Sequence, residues 1–144
     1  MSFSLPFVAA GLVFLGLGCS ASNKEQHKPV FPVHGKVLVN GKPAVKAQVI
    51  FHPQNNPDPN AIRPSGEVDA EGAFTLSSYT AGDGAPTGEY AVAVLWFEGS
   101  SSSGGDAESG GDRLGGRYSN PQRSGLHAKI IEGPNELPPF QLKK

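Results

Sequence analysis

From Val33 onward apolar and polar residues alternate: Val33, Gly35, Val37 and Val39 share one side, and His34, Lys36 and Leu38 the other. A period of two predicts a strand with one buried face. Asn40-Gly41 follows at once, and both residue types accept the positive φ of a tight hairpin turn. After Lys42-Pro43, the residues Val45, Ala47, Val49 and Phe51 alternate with Lys46, Gln48, Ile50 and His52. This second strand either pairs with the first or is connected to it across a sandwich. Pro53 ends it, and residues 54–64 carry Pro57, Pro59 and Pro64, which predicts an irregular loop because each proline removes a ladder donor and restricts its predecessor. Residues 65–68 predict a short strand, Asp69-Ala70-Glu71-Gly72 a turn, and Phe74 and Leu76 a return to the core.

Asp83 to Gly88 is rich in turn formers and leads into Tyr90, Val92, Val94 and Trp96 on one side and Ala91, Ala93, Leu95 and Phe97 on the other. Two apolar sides predict the most central strand. From Gly99 to Gly116 only Ala107, Arg113 and Leu114 interrupt Ser, Gly, Asp and Glu, too little apolar area to offset the entropy of ordering. A flexible excursion over 99–116 is expected. Order resumes at Arg117-Tyr118; Leu126, Ala128 and Ile130 then predict the penultimate strand, and Phe140-Gln141-Leu142 a closing one after Pro138-Pro139. No stretch beyond residue 19 keeps a helical period for ten residues. The expected fold is therefore all-β: a two-layer antiparallel sandwich of seven or eight strands over residues 30–144.

The start of the chain has another pattern. Residues 1–18 are uncharged and run apolar from Leu5 to Leu17, roughly 20 Å if helical, short of the ~20 residues that cross a hydrocarbon core. Residues 1–18 read as a signal peptide. Leu15-Gly16-Leu17-Gly18-Cys19 resembles a bacterial lipobox, which implies thioether attachment of lipid to Cys19, with palmitate-type chains, and cleavage before it. Residues 19–29 are then the lipidated cysteine and a polar tether, and Ser20 in place of Asp favours the outer membrane over the cell membrane. The alternatives are secretion without lipid, or a retained apolar helix with an inert cysteine.

Composition narrows the chemistry. The single cysteine excludes an internal disulfide and a multi-cysteine metal module. Twelve basic against thirteen acidic residues give a net charge of −1, so no global field draws in nucleic acid or an anionic membrane. His27, His34, His52 and His127 are scattered; only His34 and His127, if their strands paired, would make a two-histidine surface site. Asp69 and Glu71 offer two carboxylates, short of a calcium shell, and suit a turn better. Ser100 to Ser103, Asp106 and Glu108 lie in the expected flexible segment, away from a scaffold that would fix a nucleophile or an acid pair. The glycines at 104, 105, 110 and 111 precede no Gly-Lys-Ser/Thr.

Val33-His34-Gly35-Lys36-Val37, Asn40-Gly41-Lys42-Pro43, Val49-Ile50-Phe51, Asp69-Ala70-Glu71-Gly72-Ala73-Phe74 and Gly88-Glu89-Tyr90-Ala91-Val92 together resemble the carboxypeptidase regulatory-like domain family. The resemblance implies a transthyretin-like, or prealbumin-like, sandwich acting as an accessory module. Arg117-Tyr118-Ser119-Asn120-Pro121, Ser124-Gly125-Leu126 and Gly133-Pro134-Asn135 resemble small planctomycete lipoproteins. Hydroxyisourate hydrolases share the fold but end in Tyr-Arg-Gly-Ser, whereas this chain ends Gln141-Leu142-Lys143-Lys144. The expectation is a non-catalytic, lipid-anchored cell-envelope protein with a structural, adhesion or accessory role, needing no cofactor and no metal. Its partners are the membrane, through Cys19, and an envelope protein or polysaccharide. The alternative is a carbohydrate- or peptide-binding module, with Tyr79, Trp96, Tyr118 and Phe140 as ligand-binding candidates.

Overall fold

The computed structural model describes residues 27–97 and 111–144. Among the described residues nine strands form two facing sheets, an open two-layer sandwich in which most pairings are antiparallel. The first sheet is built around β1 (Val33–Val39). Along one edge it pairs antiparallel with β5 (Ala73–Thr75) and then β2 (Lys42–Pro43); along the other it takes β8 (Asn135–Glu136) and β9 (Phe140–Leu142) in parallel. The second sheet has the order β4 (Ser65–Glu67), β3 (Gln48–Pro53), β6 (Gly88–Leu95), β7 (His127–Ile130), all antiparallel.

Two expectations are corrected. The strands among the described residues number nine, because two-residue pairings at Lys42–Pro43 and Asn135–Glu136 carry too little periodicity to be visible in the pattern. The sandwich is also not purely antiparallel. The last segment crosses back to run beside β1 in the same direction, so that the Asn40 N–H reaches the Leu142 carbonyl at 2.9 Å.

Asn40-Gly41 makes the expected hairpin turn, with φ of 51° and 79°, the pair of positive values a two-residue type I′ connection needs. The hairpin holds only β2, and the chain then crosses to the other sheet. Val45 departs from the expected core face and is 40% exposed, because residues 44–47 close a turn with Lys46 at φ 67° and the strand begins only at Gln48.

The core lies between the sheets. Val33, Val37 and Val39 of β1 and Phe74 and Leu76 at β5 face Val49 and Phe51 of β3, Tyr90, Val92 and Val94 of β6 and Ile130 of β7. Phe51 sits at its centre, with ring centroids 5.7 Å from Tyr90, 6.2 Å from Phe74 and 6.4 Å from Phe140. Such offset and edge contacts add to the area each ring buries. The glycine in the core-facing row of β1 has a steric reason: a Cβ on Gly35 would stand 2.5 Å from Phe74 Cζ. β6 is interior to its sheet, as its two apolar sides predict, and Tyr90 to Val94 are all buried.

Candidate functional site

A concavity opens where β3 ends and β6 begins. It encloses about 290 Å³, and Gln54 and Glu89 lie on its floor with Tyr90. Pro53 ends β3, yet the Gln54 N–H still donates to the Glu89 carbonyl at 2.9 Å, so Gln54 stays pinned to β6 after the regular ladder stops. Asn55, at φ 57°, then turns the chain outward.

One wall is the proline-rich loop. Asn56 Oδ1 accepts from the Asp58 N–H at 3.0 Å, and Asp58 Oδ1 accepts from the Asn60 N–H at 2.9 Å. These successive side-chain turns shape a segment that has almost no core of its own. The opposite wall is Tyr79. Its ring stacks on His27 with centroids 4.0 Å apart, and its hydroxyl accepts the Lys28 N–H at 2.9 Å. Residues 27 and 28, at the end of the expected polar tether, are thus docked on the rim of the cleft.

Asp83 positions this second wall. Its carboxylate accepts N–H groups from Ser78 at 2.6 Å, Tyr79 at 2.9 Å and Thr80 at 3.0 Å. Burial pulls the Asp83 carboxyl up, but the N–H groups of Ser78, Thr80 and Tyr79 outweigh it and hold the pKa below the usual value. At the base, the Tyr90 hydroxyl donates to the Pro86 carbonyl at 2.8 Å. Burial, and then the neighbouring Tyr79, push its pKa up to about 12. Tyr90 is therefore a neutral structural phenol at physiological pH. His52 on β3 is held below its ordinary pKa by burial and then by the Arg63 charge, so it too is neutral near pH 7.

Two more open depressions meet the cleft at Gln54. One runs over Glu89 to His127 and Lys129 of β7, the other past Asn55 to Gln122. Gln54 Nε2 lies 3.2 Å from His127 Nδ1, joining β7 to the cleft floor. Across the cleft and the first depression, Lys28 and Lys129 stand against Asp58 and Glu89, which leaves the surface close to neutral.

Of the four aromatic candidates, only Tyr79 lines this cleft. Trp96, Tyr118 and Phe140 are partly buried and pack against the core. Trp96 Nε1 donates to the Val45 carbonyl at 2.9 Å, and the Arg113 guanidinium lies 3.8 Å above the indole centroid. The Tyr118 hydroxyl accepts from the Lys143 N–H at 3.1 Å, while Phe140 stacks on Phe74 at 6.2 Å. The sequence reading missed Gln54, Asp58 and Glu89. The signal present was a cluster of amides and an acid in the proline-rich loop, but only pairing of β3 with β6 brings Glu89 beside it.

His34 and His127 lie in different sheets, so the two-histidine site does not form. His34 Nδ1 is instead 3.1 Å from Thr75 Oγ1. Asp69 Oδ1 accepts the Glu71 and Ala73 N–H groups, each at 2.9 Å, and serves the turn. No group of three metal-ligating side chains occurs among the described residues. Cys19, Ser100 to Ser103, Asp106 and Glu108 lie outside the described residues. The C-terminal part of the expected flexible excursion is built in: Asp112 accepts N–H groups from Trp96, Leu114 and Gly116, and Leu114 is buried. No protein-family model matches the chain, and no curated protein or solved structure matches it either.

Proposed function

We propose that this chain is an exported lipoprotein of the bacterial cell envelope, a carboxypeptidase regulatory-like, transthyretin-like sandwich held by lipid on Cys19, with a non-catalytic structural, adhesion or accessory role. The observation that carries this reading is the uncharged apolar run that ends at the chain's single cysteine, directly ahead of a polar segment and a β-sandwich. A diacylglyceryl group supplies two acyl chains, enough for stable anchorage where one chain gives only marginal binding. His27 lies eight positions beyond Cys19, a reach of at most roughly 29 Å. Because His27 is stacked on Tyr79, the lipid would keep the cleft-bearing end of the domain near the bilayer.

The test is the intact mass of the protein from membrane fractions, wild type against Cys19→Ala, with protease accessibility at the cell surface. The expected result is a chain beginning at Cys19 and carrying lipid, with the modification lost in the variant. An unmodified or unprocessed wild-type chain overturns the reading.

A further inference from the structure

We propose that the Gln54 cleft binds a short oligosaccharide of neutral or amino-sugar type. The inference goes beyond lipid anchoring and does not depend on it. Its lining residues include three amides, Gln54, Asn56 and Asn60, and two acids, Asp58 and Glu89, beside apolar residues such as Ile62 and Pro86. Each amide offers a donor and an acceptor, and each carboxylate accepts, which matches the paired donor and acceptor character of sugar hydroxyls.

The array is pre-set. Asn56 and Asp58 each spend one oxygen on a backbone N–H of their own loop, which leaves the Asn56 amide nitrogen and the second Asp58 oxygen for a ligand. Tyr79 is fixed by His27 behind its ring and by the Lys28 N–H on its hydroxyl, so an aromatic wall is in place before any ligand arrives. Such preorganisation lowers the ordering cost of binding. The volume of about 290 Å³ lies at the lower end of small-ligand clefts, suited to a short saccharide.

One observation favours a sugar over a peptide, and a second selects among sugars. The cleft lies across the ends of β3 and β6, which are neighbours in the sheet and are flanked by β4 and β7. No free strand edge runs along its floor, so a peptide could not add as a further strand. The charged residues of the cleft itself, Lys28 against Asp58 and Glu89, leave one net negative charge, which gives no attraction for uronate or sulfated sugars.

The experiment titrates the full chain, solubilised in detergent, with cellotetraose, with the tetramer of N-acetylglucosamine and with tetra-alanine, followed by amide NMR shifts. At least one saccharide is expected to bind with a Kd on the order of 0.1–1 mM, the strength of a few net hydrogen bonds in an open site. The shifted amides should centre on Gln54, Tyr79 and Glu89. Gln54→Ala and Glu89→Ala should each weaken binding at least about fivefold, and His34→Ala, in the other sheet, should leave it unchanged. The Glu89 side chain is exposed, so its variant keeps the test valid if Gln54→Ala fails to fold. Cys19→Ala should bind as the wild type does, so failure of lipidation and failure of sugar binding are read separately. Silence of both saccharides at about 10 mM, shifts elsewhere on the domain, or tetra-alanine binding alone overturns the proposal.

Discussion

Asp83 holds the Tyr79 wall of the cleft without lining it. One carboxylate gathers the N–H groups of Ser78, Tyr79 and Thr80, and Ser78 Oγ in turn donates to the Gly84 carbonyl at 2.6 Å. These bonds favour the charged form and hold the Asp83 pKa below its ordinary 3.8. The sign follows: the unfolded chain takes up this proton first as pH falls, so the contribution is intact above about pH 3.8 and lost as pH falls through the lower folded pKa. Asp83→Asn should therefore cost roughly 1 kcal/mol near neutrality, modest because solvent reaches the group, and the difference from wild type should shrink below about pH 3.8. Urea unfolding of both proteins at neutral and acid pH checks this. A difference that persists at acid pH would mean that shape, not charge, sets the contribution.

Among the elements, the connection leaving β6 shows how a segment poor in apolar residues is fastened. Phe97 and Asp112 form a bridge where the chain returns, and Asp112 Oδ1 accepts the Trp96 N–H at 3.0 Å and the Leu114 N–H at 3.1 Å. Leu114 is thereby delivered into the core, and Arg113 over Trp96. Asp112→Ala removes the acceptor for three N–H groups and should destabilise the domain by about 1–3 kcal/mol. It should also shift the emission of Trp96, the only tryptophan, as Arg113 leaves the indole. An unchanged spectrum would separate Arg113 from the Asp112 turn. Composition alone made all of 99–116 look unfastened; the decisive partner, the Trp96 backbone, is sixteen residues away from Asp112.

Across the whole molecule, the sheets meet through Phe51, Phe74, Tyr90 and Phe140, and Gly35 sets how closely Phe74 approaches β1. Gly35→Val would drive a side chain into that ring, which is buried and stacked on Phe140 and cannot swing aside. The expected cost is about 1–3 kcal/mol, the usual range for overpacking, read as a lower thermal midpoint. A neutral substitution would show that the two sheets separate more easily than their packing implies.

Strands β1, β3, β4, β5, β6, β7 and β9 and the turns at Asn40-Gly41 and Asp69 to Gly72 were written in the sequence, because alternation and turn stereochemistry act between residues a few positions apart. So were the inward side of β1 and the burial of β6 on both faces. Tertiary structure alone decided the rest. It placed β8 and β9 parallel to β1, put His34 and His127 in different sheets, drew three of the four candidate rings against the core and set Glu89 beside Gln54. Each of those outcomes depends on partners dozens of residues apart. A period of two tells which way a side chain faces, but not which strand will lie beside it.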